Sequence, residues 1–124
     1  MVPVSDDVDV TLAAARAVVL ADLTATGAAE PATVSVLEDV VASRREWVTH
    51  WPDGAVFAAG LVAQDVQDTL LETHGRWPLC PLCEDATHAV FISPDLGGPD
   101  PTWVCEESGR EVAPLGSLGS PPPS

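Results

Sequence analysis

Residues 80 to 88 read CPLCEDATH, and a further cysteine, Cys105, stands in WVCEESG. Cys80 and Cys83 have the Cys-x2-Cys spacing that puts two sulfurs on one tight turn, the first half of a tetrahedral zinc site. Pro81 between them removes a backbone donor and stiffens the turn. A zinc ribbon takes its second pair from a similar turn further along. Here that turn reads CEESG, in which Ser108 stands where a fourth cysteine would complete the pattern. The 21 residues between Cys83 and Cys105 are enough for a strand and its return strand.

His88, at the head of HAVFISP, is the candidate for the missing ligand, because an imidazole reaches further from the backbone than a thiol. The expected donor set is therefore Cys80, Cys83, His88 and Cys105, a Cys3His site suited to Zn2+. His74, and Ser108, Asp85 or Glu106 as oxygen donors, are weaker candidates. Three other chemistries fit the same residues. If His88 does not ligate, three cysteines leave a fourth position open for a catalytic water, with Glu84, Glu106 or Glu107 as base. Three thiolates weaken the metal as a Lewis acid, however, and no His-x-Glu precedes the Pro-Cys-x-x-Cys run as it does in zinc deaminases. A dithiol redox pair needs Cys-x-x-Cys between a strand and a helix, whereas a strand pattern follows here. The cysteines are otherwise plain core residues. No nucleophile elbow, phosphate loop or dinucleotide fingerprint occurs.

These residues must be held by the elements around them. Val8, Leu12, Ala15, Val19 and Leu23 recur at spacings of three or four, which predicts a helix from Ser5, as cap, to about Thr26 before Gly27. Val62, Val66 and Leu70 form the ridge of a second long helix, expected from Gly54, with Asp53 as its cap, to His74. Its opposite face carries Gln64, Asp65, Gln67, Asp68 and Glu72, a solvated or partner-binding acidic face. Between the two, residues 33–51 carry both a helical stripe (Val34, Leu37, Val41, Val48, Trp51) and short alternations of β-branched and aromatic residues. The alternation favours a short hairpin; a third helix is the other reading. Trp77 and Trp103, close in sequence to Cys80 and Cys105, are placed to shield a metal from water, and Trp47 and Trp51 read as core.

The chain of 124 residues carries a net charge of −14, with 19 acids against five arginines. Between residues 76 and 115, two arginines face seven acids, where a nucleic-acid-binding zinc module would carry its basic surface. Binding to nucleic acid or to an anionic membrane is therefore disfavoured, since neither polyanion finds cations to replace its counterions. A protein partner with a basic surface fits the charge better. The N-terminal residues lack a basic, apolar leader, the longest apolar run is broken by Arg16 and Asp22, and the three cysteines suit a reducing cytoplasm.

The segment RWPLCPLCEDATHAVFISPDLGGPDPTWVCEESGREVAPLG resembles the C-terminal part of small acidic uncharacterised actinobacterial proteins, with a WPxCPxC turn, a histidine, a WVC strand and a final VAPLG. The absence of Lys, Asn and Tyr is in keeping with a GC-rich genome. The resemblance implies a zinc-ribbon-like module and a strand pair before the long helix, and it brings no activity with it. The expectation is thus an α+β protein: an N-terminal helical part over 1–75, a zinc-ribbon-like β module over 76–116, and a disordered tail over 117–124. Its expected role is a structural zinc site in a protein-binding or adaptor module. The alternatives are a zinc enzyme with an open position and a Cys-x-x-Cys redox sensor.

Overall fold

The computed structural model describes residues 4–80, 88–93 and 100–119. Helix α1 (Val4–Ala25) follows its apolar stripe: Val8, Leu12, Ala15, Val19 and Leu23 are all buried. It ends at Gly27, whose φ of 73° lets the chain turn while the Ala28 N–H donates to the Leu23 carbonyl at 2.8 Å.

Residues 31 to 50 form a helix, α2 (Pro31–His50), and not the hairpin that the alternation favoured. Two local features decide it. Pro31 sits in the first turn, where its missing N–H costs nothing. Glu30 and Thr33 form a reciprocal capping box, with the Glu30 N–H donating to Thr33 Oγ1 at 2.9 Å. Thr33, Leu37, Val40 and Val48 then fall on one buried face against α1 and α3. The alternating residues that imitate a strand stand outside this face, with Val34, Val36 and Trp47 half-buried and Thr49 and Trp51 exposed. Arg16–Glu38 and Arg45–Asp9 ion pairs join α2 to α1.

The third element also differs at its start. Residues Pro52–Phe57 form a 3-10 turn, and α3 (Ala58–Thr73) begins after it with Phe57 at the cap; Asp53 makes no cap bond to α3. Gly54 lies under the rings of Trp47 and Trp51, which meet edge to face at 5.1 Å. A Cβ at Gly54 would come within 2.6–2.8 Å of both rings. Gly54→Ala should therefore destabilise by about 1–3 kcal/mol. Chemical denaturation checks this, and a change below about 0.5 kcal/mol would mean the rings shift freely. The ridge of α3, Val62, Val66 and Leu70, is buried as expected. From its other face Asp65 accepts two bonds from Arg44 of α2, at 2.6 and 3.0 Å, so this acid clamps two helices together.

The C-terminal part is an antiparallel sheet of β1 (Val90–Ser93), β2 (Thr102–Cys105) and β3 (Glu111–Pro114), in that order. Val90 pairs with Cys105 and Ile92 with Trp103, and all four are buried in one cluster with Ala15, Val19, Leu23, Leu37, Val62, Val66 and Leu70. A second cluster at the other end, Val8, Leu12, Val48 and Ala58, is built by helices alone. The sheet thus caps one end of the three-helix layer and shares its core.

Trp77 and Trp103 meet edge to face at 5.6 Å. Trp77 Nε1 donates to Thr26 Oγ1 at 2.9 Å, and Trp103 Nε1 to Asp22 Oδ2 at 2.8 Å. Asp22 is completely buried, and its carboxylate also accepts the Gly116 N–H at 2.7 Å and the Leu118 N–H at 2.9 Å. Gly116 approaches α1 so closely that a Cβ would stand 2.9 Å from Val18 Cβ. Residues 117–119 therefore rest on α1; the remainder of the expected disordered tail lies outside the described residues. No described helix is long and apolar enough to cross a membrane.

Candidate metal centre

Segment 77–80 runs antiparallel to 88–90. The Cys80 N–H donates to the His88 carbonyl at 2.9 Å, the Val90 N–H to the Pro78 carbonyl at 3.0 Å, and Leu79 stands opposite Ala89. This ladder makes Cys80 and His88 cross-strand neighbours. The β1–β2 register then brings Cys105, opposite Val90, to the same end of the sheet. The ligand atoms of Cys80, His88 and Cys105 all lie within 4.8 Å of one another, and all three residues are buried.

A tight turn follows Cys105. The Gly109 N–H donates to the Cys105 carbonyl at 2.9 Å, the Cys105 N–H to the Arg110 carbonyl at 2.9 Å, and the Ser108 N–H points at Cys105 Sγ at 3.4 Å. Gly109, at φ 74°, allows the chain to double back. CEESG is therefore a tight turn in which Ser108 gives an N–H to the sulfur from the place where a cysteine would complete the expected pattern. The Ser108 hydroxyl and N–H beside Cys105, helped by His88, hold the pKa of its thiol down to about 5 against the opposing effect of burial. The sulfur is thus held as the thiolate, the form that binds metal.

His88 turns Nε2 to Cys105 Sγ at 3.4 Å. The Cys105 thiol raises His88 above its ordinary range, opposed by burial, with smaller contributions from Cys80 and Glu107. On the other side of the ring, Nδ1 is buried with no hydrogen bond. The Glu107 carboxylate lies 3.5 Å from it, close enough for an ion pair but outside hydrogen-bonding geometry.

Of the residues singled out in the sequence, three converge: Cys80, His88 and Cys105. Cys83, Glu84 and Asp85 lie outside the described residues. His74 is elsewhere, exposed at the end of α3 with Nδ1 against Thr73 Oγ1 at 2.7 Å. Glu106 is exposed on the rim of a surface groove. Trp77 and Trp103, read as shields, tie the sheet to α1 through their ring N–H groups. Glu107, one of the acids named as a possible base, is the residue facing His88 Nδ1; Asp22 as the anchor of the sheet was not legible. Glu107 carried a signal, two positions beyond Cys105 inside the turn; Asp22 carried none beyond an acid in an apolar stripe.

Two cysteine sulfurs and an imidazole, all buried, form a soft donor set that could hold a metal ion. The sequence profile of a domain of unknown function, DUF8819, matches residues 8–115, from α1 through β3. The chain belongs to this family. Comparison with curated proteins and with solved structures gave no match. The DUF8819 match spans both the helical layer and the sheet that carries the cysteines.

Proposed function

We propose that this chain binds one Zn2+ through Cys80, His88 and Cys105, with Cys83 as the fourth ligand, and that the ion is structural. The observation that carries this reading is the convergence of three buried donors within 4.8 Å. Three thiolates and one imidazole suit zinc in a closed tetrahedral shell. The Nε2 side of His88 faces the sulfurs, which leaves Nδ1 towards the Glu107 carboxylate 3.5 Å away, the side from which an outer partner would orient a ligating imidazole. When bound, the ion supplies cross-links between the two cysteine-bearing segments; the residues of this chain supply the charge, the N–H groups on sulfur and the exclusion of water. Around this centre the protein acts as a cytoplasmic protein-binding or adaptor module.

One observation favours an enzyme. Cys105, His88 and Glu107 stand in the order of a thiol nucleophile, its base and an orienting acid, with the thiol pKa at about 5. A substrate must reach the sulfur, however, and Cys105 is completely buried. None of the four grooves described on the surface is lined by Cys80, His88 or Cys105. The same burial counts against a catalytic zinc with an open position.

Elemental analysis of the purified protein and cobalt substitution test the reading. One zinc per chain is expected, with a tetrahedral cobalt spectrum that shifts in His88→Ala and is unchanged in Ser108→Ala. A spectrum indifferent to His88 would overturn the closed site and reopen the enzyme reading. Absence of bound metal would end the proposal.

A further inference from the structure

The outer surface of α3 and β1 carries an apolar face that the helical core does not use. Ala89 and Phe91 alternate with the buried Val90 and Ile92 along β1, so they point to the opposite side of the sheet. Leu79 stands across from Ala89 and joins them on that side. Leu71, on the last turns of α3, lies beside Phe91 across a groove of about 210 Å³ that both residues line. Leu71 is 58%, Leu79 48% and Phe91 38% exposed, three of the six large apolar side chains left open to solvent in the described residues.

The charged residues around this groove are two acids and Arg76. Asp68 and Glu106 stand on its rim. Asp68 also lines a neighbouring cleft of about 380 Å³ between α2 and α3, together with Asp39 and Asp65. Asp65 is engaged by Arg44, while Asp39 and Asp68 have no ion pair among the described residues. Arg76, the cation in the apolar groove, is already engaged within the chain. An apolar slot therefore opens into an acidic cleft, with Asp68 shared by both.

We propose that this continuous surface docks a basic, extended segment of a partner protein, an apolar side chain entering between Leu71 and Phe91 and an arginine or lysine reaching the Asp39–Asp68 cleft. The inference rests on the adaptor part of the reading above and gives its partner a chemistry. Spacing sets the motif. Asp68 stands one turn before Leu71 on α3 and Asp65 a turn before that, so the cleft, which runs from Asp65 to Asp68, reaches up to about 9 Å from the slot along the helix. An extended chain covers that distance in about three residues. The docking segment thus reads basic-x-x-apolar. A second copy of this chain does not fit, because each carries −14 and would set acid against acid.

The test uses the zinc-loaded full chain and fluorescein-labelled peptides built from Arg-x-x-Leu repeats, with a scrambled peptide of the same composition and a Glu-x-x-Leu peptide as comparisons. Fluorescence anisotropy should show binding of the first alone, weakened at least about tenfold by Leu71→Ser, Phe91→Ser or Asp68→Asn and unchanged by Val10→Ser on the far part of α1. Equal binding of the scrambled peptide, or indifference to Leu71→Ser and Phe91→Ser, would show attraction by net charge alone and overturn the proposal. Concentration-dependent dimers abolished by Leu71→Ser would overturn it in favour of a second copy. Zinc content, measured on every variant, separates the two readings: loaded protein that does not bind overturns this inference alone, and binding by a chain that takes no metal overturns the zinc site alone.

Discussion

Cys105→Ser should lose metal affinity by at least about a hundredfold and release the C-terminal sheet from the helices. The sulfur is what the turn after β2 brings to the group of three donors, and it sits in the shared cluster with Val90, Ile92 and Trp103. A hydroxyl in its place is a poor zinc ligand, and as a buried polar group it needs a hydrogen-bond partner. The effect should be graded along the molecule. Trp77 and Trp103 fluorescence should shift to the red as the sheet detaches, while part of the helical circular dichroism remains, because the Val8, Leu12, Val48 and Ala58 cluster needs no residue of the sheet. Cobalt titration with tryptophan fluorescence checks both halves. Wild-type affinity with undisturbed tryptophans would remove Cys105 from the site.

The second large effect lies away from the metal. Asp22→Ala withdraws the acceptor of Trp103 Nε1, Gly116 N–H and Leu118 N–H at one stroke. A buried donor left without a partner costs about 1–3 kcal/mol; the Trp103 bond is buried and the two backbone bonds are partly so. Some of the three will find water, so a total of about 3–5 kcal/mol is expected. For a chain of this length that corresponds to a melting temperature lower by roughly 10–20 °C. Asp22→Asn keeps one acceptor but turns an amide NH2 towards these donors, so it should fall between the wild type and Asp22→Ala. Thermal unfolding of the zinc-loaded proteins measures this directly. A loss under about 1 kcal/mol in Asp22→Ala would show that the three bonds form without holding the sheet in place.

The legible parts of this molecule were those in which a local pattern and its packing partner agree. The stripe of α1 and the ridge of α3 are buried residue for residue, and the convergence of Cys80, His88 and Cys105 follows from ligand types set at knuckle and strand spacing. Residues 33–51 misled because β-branched side chains at alternate positions imitate a strand, while the decisive signals were the Pro31 start and the Glu30–Thr33 capping box. A tertiary setting with two helices already present selects the helical face, since Leu37, Val40 and Val48 then bury together. The start of α3 was displaced by the Trp47–Trp51 pair, which takes Gly54 into a turn of its own. Asp22 was illegible for a different reason: its donors lie between 81 and 96 residues further along the chain, beyond any local pattern.

That separation has a kinetic consequence. Until β2 and the segment after β3 are in place, the Asp22 carboxylate is a charge beside the apolar stripe of α1, and it must stay hydrated. The Val19–Leu23 end of the stripe is therefore kept wet, while the Val8–Leu12 end is free to close on α2 and the start of α3. Assembly is expected to begin where α1 carries no such charge and to finish where the sheet delivers its donors, since those contacts join residues 81 to 96 positions apart and the helices must already be in place to receive them. Asp22→Asn should then accelerate unfolding while leaving the folding rate nearly unchanged, the signature of bonds made after the rate-limiting barrier. The buried acid thus acts as a timer on α1, holding back its final packing until the last strand has arrived.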